Sequence, residues 1–262
     1  MHDGIGRARR DALLLIDLVL TRRLLAELLG SALLGSVVIG SGIAAVQLSP
    51  GNIGLELFEN AAVTAAGLYA ILLVFGPVSG AHLNPIVSAL DVLLGGMSWR
   101  DAAAYMPAQL GGCCGGALLA NVMFSRVAVS LSTHHRASGG HFVGEVVATA
   151  GLVLVIFSLA RSGRAERTPA AVAAYIGAAY FFTSSTSFAN PAIAVGRMLS
   201  DSFAGIAPSS VPLFVVAEVG GGLFGYGLLR MLYPRFGTKA AKSVAMPHGD
   251  VDEPHRDALE GV

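Results

Sequence analysis

Charged side chains are scarce in this 262-residue chain, where Asp, Glu, Lys and Arg make up 13% of the residues and sum to a net charge of zero. Soluble globular proteins carry about 25% charged residues. The chain is instead 54% hydrophobic, with a mean hydropathy of +0.66. This composition excludes an ordinary soluble domain and is typical of a protein that crosses the membrane several times. No nucleic-acid partner is expected.

Cysteine and cofactor-binding motifs are also scarce. The two cysteines, Cys113 and Cys114, are adjacent and would face different sides of a helix, so they cannot form a disulfide framework. They are interpreted as small packing residues, or alternatively one of them lines a passage where a soft metal could bind. No Cys/His spacing indicates a metal site, and no Walker sequence, nucleophile elbow or cofactor fingerprint occurs. The sequence therefore predicts no metal, no cofactor and no enzymatic activity.

Long apolar stretches, in contrast, are abundant. Each is near the length that a helix needs to cross a bilayer core of about 30 Å, and none has the charged face of a soluble amphipathic helix. Six of them are recognised, at 24–48, 61–78, 102–124, 142–160, 170–182 and 211–232. The sequence therefore predicts an all-α membrane protein with six transmembrane helices.

Positive charges are distributed unevenly among the segments that join these stretches. If the N-terminus is cytosolic, 14 of the 17 Lys and Arg residues lie in inner segments and three in outer loops. The positive-inside rule expects this bias, which places both termini in the cytosol and the protein in the cell membrane. Residues 1–23 then form a cytosolic N-terminal segment. Residues 236–262 lack apolar content and form a cytosolic tail that is expected to be disordered.

A six-residue signature occurs twice, as Ala-His-Leu-Asn-Pro-Ile at 81–86 and as Ser-Phe-Ala-Asn-Pro-Ala at 187–192. Asn is a preferred helix N-cap and Pro a preferred first helical residue, so each copy predicts the start of a helix. The apolar run that follows has about ten residues, too few to cross the bilayer. Each copy therefore predicts a re-entrant half-helix whose N-terminus, with its partial positive charge, points into the middle of the protein.

Further matching positions indicate an internal repeat. Glu27 in the first span corresponds to Glu145 in the fourth, and Gln109 in the third span corresponds to Glu218 in the sixth. Because each half has three spans, the second half must be inserted upside down, which gives an inverted repeat with its functional site at the midplane. The two halves cover about 24–124 and 142–232.

The doubled box resembles the Asn-Pro-Ala boxes of the aquaporin and aquaglyceroporin family, although the first box here reads Asn-Pro-Ile. The resemblance extends over about residues 20–235 and implies an aquaporin-like channel domain at 24–235. It also implies a homotetramer in the lipid bilayer, with one pore per chain, that passively conducts small uncharged solutes such as water and glycerol-like polyols. The box residues are Asn84, Pro85, Ile86, Asn190, Pro191 and Ala192.

The resemblance assigns roles to residues around the boxes as well. The side-chain amides of Asn84 and Asn190 are expected to donate hydrogen bonds to a passing solute, while the opposed half-helix dipoles repel cations. His82 matches a pore-facing His of the family. Backbone carbonyls that accept hydrogen bonds along the path are expected at Gly80, Ala81, His82, Ser185, Thr186, Ser187 and Phe188.

The outer constriction of the family is built from four positions, which fall here on Thr64, Ala178, Ser187 and Ile193. Ordinary aquaporins and glycerol facilitators have Arg directly after the second box, where this chain has Ile193. The next arginine, Arg197, lies seven residues past Asn190 and cannot replace it by simple substitution. Losing a guanidinium removes charge, donors and bulk, so a wider and less polar ring is expected. With residues 201–206, this pattern resembles a bacterial subgroup linked with neutral metalloid species such as arsenous acid and methylarsenicals.

Three carboxylates within the predicted spans, Glu27, Glu145 and Glu218, leave alternatives open. One is proton coupling, as in a secondary transporter. The other is scaffolding, in which a carboxylate accepts backbone N–H groups of the re-entrant loops; the family resemblance implies this role for Glu27 and Glu145. Glu218 is unusual at its position and is expected to be paired or protonated. A third alternative for the whole chain is a membrane interaction or sensor protein without conduction.

Overall fold

The structure is a computed structural model that describes the backbone of residues 2–234 and the side chains of residues 18–234. The predicted disordered tail at 236–262 lies outside the described residues. Over the described backbone the chain forms eight α-helices, two short 3-10 turns and no strand, which confirms the all-α prediction. The helices are α1 (His2–Leu48), α2 (Ile53–Ser79), α3 (Pro85–Leu93), α4 (Trp99–Met123), α5 (Gly139–Arg161), α6 (Thr168–Phe182), α7 (Pro191–Arg197) and α8 (Val211–Leu232).

Six of the helices correspond to the six predicted spans. Within the part of the chain that the structure describes, four segments are long and apolar enough to cross a membrane: Leu18–Leu48, Ile53–Ser79, Gly139–Arg161 and Pro208–Leu232. The other two spans are α4, with 25 residues, and α6, with 15 residues. At about 1.5 Å per residue α6 is only about 22 Å long, shorter than the bilayer core.

Five helices begin before their apolar stretches, and two of them, α1 and α2, do so by eight residues or more. α1 begins at His2, so residues 2–23 continue the first helix instead of forming a separate segment. α2 begins at Ile53, eight residues before the predicted start, because Asn52 caps it: the Asn52 side chain accepts the backbone N–H of Leu55 at 3.1 Å. Polar capping determines this boundary, and hydropathy does not detect it.

The two short helices, α3 and α7, begin at the prolines of the two boxes. α3 has nine residues and α7 has seven, so neither can cross a bilayer. Asn84 is the N-cap of α3 and Asn190 is the N-cap of α7. The first box follows the second span and the second box follows the fifth, so the half-helices enter from opposite sides. This is the predicted re-entrant arrangement.

Helix packing follows the internal repeat. In the first half α1 packs on α4 and α2, and in the second half α5 packs on α8 and α6 in the same way. Across the halves α2 packs on α6, while α7 lies against α4 and α3 lies against α8. Each half-helix is therefore enclosed partly by its own half and partly by the other one. The second repeat cannot separate from the first without exposing both boxes.

Glycines permit the closest helix crossings. A Cβ added at Gly112 or Gly116 of α4 would overlap the backbone carbonyls of α1, and a Cβ at Gly221 or Gly225 of α8 would crowd those of α5. The two pairs occupy matching positions in the repeat. Small residues at such crossings let helix backbones approach closely, as is common in membrane proteins.

The distribution of polarity is the reverse of that in a soluble protein. Glu27, Gln109, Glu145 and Glu218 are fully buried, with 0% exposed surface. Many large apolar side chains, Leu33 among them, are exposed on the outer faces of the helices. Such a surface is stable against lipid and not against water.

Candidate functional site: a cavity between the two boxes

A cavity extends between the halves and is lined by both boxes. Its side walls come from α1, α2, α5 and α6. On α2 and α6 the lining residues recur every fourth position and therefore form one stripe on each helix. Between these walls lie the loop segments 80–84 and 187–190. The stripes are Thr64, Leu68 and Leu72 on α2, and Thr168, Val172, Ile176 and Tyr180 on α6. The side walls are thus mainly apolar, and the polar groups are concentrated in the loops.

The loops that precede the half-helices have an unusual backbone. Ala81 and Leu83 have φ values of 45° and 52°, and the matching Ser187 and Ala189 have values of 52° and 48°. Residues other than glycine reach this left-handed region at a cost of about 1–2 kcal/mol each. The alternation directs the carbonyls of Leu83 and Ala189 across the midplane toward the opposite box.

The two box asparagines bind one another's loops. Asn84 Nδ2 donates to the carbonyl of Ala189 at 2.7 Å, and Asn190 Nδ2 donates to the carbonyl of Leu83 at 2.7 Å. Their Oδ1 atoms accept the N–H of the second residue of their own half-helix at 2.9 and 3.0 Å. A side-chain amide has two N–H donors. One N–H of each amide binds the opposite loop, and the second N–H is left for the cavity, which both asparagines line.

Glu27 and Glu145 hold the strained loops from behind. Glu27 accepts the backbone N–H groups of His82 at 3.0 Å and Leu83 at 2.7 Å. Glu145 accepts those of Phe188 and Ala189 at 2.9 and 2.7 Å. Neither carboxylate is among the described residues that line the cavity. Their hydrogen bonds are those of scaffolding groups, and they satisfy N–H donors that would otherwise be buried without partners.

Glu218 extends this scaffold in the second half. Its Oε1 accepts the backbone N–H of Asn190 at 3.0 Å, and its Oε2 is buried without a hydrogen-bond partner among the described residues. In the first half, Gln109 occupies the equivalent position and donates from Nε2 to Glu27 Oε2 at 2.8 Å. An ionised carboxylate has no hydrogen to donate, so Glu218 would need a proton to donate to Glu145 in the same way.

His82 lies in the cavity wall with a fixed ring. Its Nδ1 is 3.1 Å from Ser88 Oγ, and its Nε2 is 3.6 Å from a carboxylate oxygen of Asp91. The ring packs edge-on against Tyr105 with a centroid distance of 5.5 Å. The structure thus places His82 at the cavity, together with Gly80 and Ala81 of the same loop.

Three of the four predicted constriction residues, Thr64, Ser187 and Ile193, line the cavity. The placement of Ala178 is wrong: this residue is exposed on the outer side of α6. Tyr180 lines the cavity in its place, with its hydroxyl 3.2 Å from Thr64 Oγ1. The four-residue spacing of the α6 stripe was a signal that could have identified Tyr180, because it ends on residue 180 and not on 178.

Two predicted lining residues of the second loop lie away from the cavity. Ser185 is fully buried, and its Oγ contacts Thr183 Oγ1 at 3.4 Å and accepts the N–H of Ser187 at 3.3 Å. Thr186 is half-buried, with a φ of 62°. Neither lines the cavity, so its carbonyl-bearing wall on this side begins at Ser187 and continues through Phe188. Ser185 instead stabilises the turn that leads into the box.

Arg197, which sequence analysis set aside, also lines the cavity. It follows Ile193 by four residues on α7, and positions four apart share a helix face. Its Nε donates to the carbonyl of Ala204, and its guanidinium carbon lies 3.4 Å from the centroid of the Phe188 ring. Counting residues from Asn190 did not reveal this contact, because the loop that carries Ala204 folds back over α7.

The segment between α4 and α5 packs on the 201–205 segment. Arg136 donates from Nε to the carbonyl of Gly205 at 2.9 Å and from Nη2 to that of Phe203 at 3.1 Å. Burial lowers the pKa of Arg136. On the exposed side, the backbone N–H of Thr133 donates to Asp201 at 2.9 Å and lowers the pKa of that carboxyl group. These bonds fix the 201–205 segment against the segment that precedes α5.

Two half-helices that meet end to end inside a bundle of membrane-spanning helices, with a cavity between them, define a membrane channel. The sequence of the chain matches the major intrinsic protein family over residues 15–187. The chain belongs to this family, which includes the aquaporins and aquaglyceroporins.

Individual relatives agree with this assignment. The chain is 43% identical over 213 residues to the aquaglyceroporin AqpS of Rhizobium meliloti (strain 1021), covering 81% of this chain and 91% of the relative. It is 31% identical over 239 residues to the glycerol uptake facilitator protein of Pseudomonas aeruginosa, covering 76% and 84%. The X-ray structure of the aquaglyceroporin from Plasmodium falciparum has the same fold, with a TM-score of 0.63 and 20% identity over 82% of this chain and 98% of that chain.

Proposed function

We propose that the protein is a passive channel whose outer ring admits glycerol-sized and larger neutral polyols and neutral metalloid hydroxides such as arsenous acid. The observation that carries this proposal is the position of Ile193, an aliphatic side chain at the cavity wall directly after the second box. Thr64 and Ser187 contribute small side chains to the ring, and Tyr180 contributes one hydroxyl group. Water also passes, although such a ring is not built to select it.

The box region supports permeation of neutral solutes with several hydroxyl groups. Asn84 and Asn190 offer one amide donor each near the midplane, and the loop carbonyls offer acceptors. A polyol or an undissociated oxyacid has both kinds of partner on one compact molecule. The apolar stripes of α2 and α6 face the apolar side of such a solute. Direction in the cell then follows the solute gradient.

Assembly and orientation complete the proposal. The protein forms a homotetramer with one pore per chain in the cell membrane, with both termini in the cytosol. The uneven distribution of positive charge supports the orientation. The chain acts without catalysis.

A proton-coupled transporter, the rival function, finds no support in the site. Glu27 and Glu145 accept backbone N–H groups of the loops, and Glu218 accepts the backbone N–H of Asn190. None of the three is among the described residues that line the cavity. A proton carrier needs a titratable group that the solute or water can reach from alternate sides.

A solute panel on proteoliposomes tests the proposed selectivity. Glycerol, a larger polyol, arsenous acid and water fluxes are measured for wild type and Ile193→Arg in the same lipid. The added guanidinium fills the ring, so glycerol and arsenous acid fluxes should fall by about tenfold or more, while some water flux remains.

Ile193→Leu is the matched control, because it keeps an aliphatic side chain of similar volume and should retain every flux. Equal glycerol and arsenous acid fluxes in wild type and Ile193→Arg would contradict the proposed ring. Loss of all fluxes in Ile193→Leu would show that the position acts through packing and not through the width of the pore.

A further inference from the structure

Arg197 is the part of the cavity wall that the proposed ring does not explain. Among the described residues that line the cavity, it is the one with a permanent charge, and it is 2% exposed. Removing a guanidinium from water costs several kcal/mol unless the surroundings compensate. A charge kept at the pore under these conditions points to a role in permeation.

Helix geometry puts this charge at the outer end of the pore. α7 runs from the midplane outward, and Arg197 lies one turn, about 6 Å, beyond Ile193 on the same face. The Tyr180 hydroxyl is near enough to interact with the guanidinium charge. Arg197 therefore lies beside the ring formed by Thr64, Tyr180 and Ile193, and on its outer side.

The guanidinium is held against the wall. It lies over the face of Phe188 at 3.4 Å, and Phe188 itself packs edge-on against Phe214 with centroids 4.9 Å apart. Its Nε donates to the carbonyl of Ala204. A cation over an aromatic face and a hydrogen bond to a carbonyl both favour one fixed orientation. The side chain thus brings charge to the pore without extending across it.

Nearby charges act on Arg197 in both directions. The carboxyl group of Glu145 attracts its positive charge, whereas Arg136, whose guanidinium lies 5.5 Å from the centroid of the same Phe188 ring, repels it. Of the five N–H donors of a guanidinium, only that of Nε has a hydrogen-bond partner among the described residues. The terminal donors are therefore available to the cavity.

We propose that Arg197 supplies the fixed positive charge of this pore and repels cations from it, while its position on Phe188 leaves the ring at Ile193 wide. This inference rests on the proposed channel function and adds to it the residue that sets charge selectivity. An arginine directly after the second box could set both the width and the charge of a pore. In this chain two side chains one helical turn apart divide these roles: Ile193 sets the width and Arg197 sets the charge.

Paired flux measurements on proteoliposomes test this division. Glycerol flux is followed by light scattering, and cation leak by the decay of imposed proton and potassium gradients, for wild type, Arg197→Gln and Arg197→Lys. Arg197→Gln removes the charge and should raise the cation leak about tenfold or more while glycerol flux persists. Arg197→Lys keeps the charge and should stay within about twofold of the wild-type leak.

Arg126→Gln is the matched control, since Arg126 is an exposed outer arginine whose Nη1 donates to the carbonyl of Asp201; neither flux should change. Arg197→Gln vesicles that conduct glycerol with a wild-type cation leak would overturn the inference. Loss of glycerol flux in both Arg197 variants, without a rise in leak, would overturn it too and make Arg197 an anchor of the 198–207 segment. A wild-type protein that conducts no glycerol would instead overturn the proposed function and the inference with it.

Discussion

Gln109 and Glu218 occupy equivalent positions in the two halves and carry different side chains. Gln109 donates from Nε2 to Glu27, and its Oε1 is buried without a hydrogen-bond partner among the described residues. Glu218 instead accepts the backbone N–H of Asn190 with Oε1, and its Oε2 is the atom without a partner. The two halves therefore make different hydrogen bonds at this position: Gln109 supports the scaffold carboxylate, and Glu218 holds the box asparagine directly.

Replacing Glu218 by Gln should be tolerated. The amide oxygen can accept the N–H of Asn190 as Glu218 Oε1 does, and the amide N–H can donate to Glu145 as Gln109 donates to Glu27. We expect a thermal midpoint in detergent near the wild-type value and glycerol flux within about twofold of wild type. Abolished flux in a folded Glu218→Gln protein would show that the acid itself is required.

The matched replacement on the partner, Glu145→Gln, should behave differently. Two backbone N–H groups, of Phe188 and Ala189, donate to the two oxygens of Glu145, and an amide offers one oxygen. One N–H is left facing an NH₂ group, at a cost of about 1–3 kcal/mol. The thermal midpoint should drop and glycerol flux should fall with it. Equal midpoints for Glu145→Gln and Glu218→Gln would contradict this assignment.

At the scale of residues, sequence patterns predicted local chemistry well and side-chain direction poorly. The caps at Asn84 and Asn190 follow from residue preferences alone. That Tyr180 and not Ala178 lines the cavity depends on the rotation of α6 about its axis. The contact of Arg197 with Phe188 depends on a loop that folds back over α7. Local sequence patterns predict neither the rotation nor the fold of this loop.

Helices were recognisable wherever an apolar run ended at a capping residue or a box. α8 has the predicted bounds, Val211–Leu232. The starts of α1 and α2 were missed, because polar residues continue α1 backward and cap α2 at Asn52. α6 is too short for a full span by itself and is recognisable as one only through its place in the repeat.

The crossing of α1 and α4 provides a test at this scale. Gly116→Ala places a methyl group where the α1 backbone lies, so the helices must move apart. We expect a loss of about 1–3 kcal/mol in stability, seen as a lower thermal midpoint in detergent. Gly115→Ala is the adjacent control: a Cβ there meets nothing within 4 Å, and the midpoint should hold or rise. Equal losses in the two variants would attribute the effect to helix propensity and not to packing.

The whole molecule combines two opposed half-helices, buried scaffolding carboxylates and an apolar exterior. Fully buried Glu27, Glu145 and Glu218 are compatible with a rigid pore because each accepts backbone N–H groups of the loops. Composition and charge distribution predicted a membrane protein of this kind, and the doubled box predicted its internal symmetry. The proposals on the width and charge of the pore depend on the packed side chains around Ile193 and Arg197.

We expect solutes to pass through this protein by diffusion, without coupling to protons. The most direct measurement is the initial rate of glycerol entry into wild-type proteoliposomes as a function of the glycerol gradient, with and without an imposed pH gradient at clamped membrane potential. The predicted result is a rate that rises linearly with the glycerol gradient and is the same at both pH settings. A rate that saturates, or glycerol accumulation against its gradient driven by protons, would contradict the account.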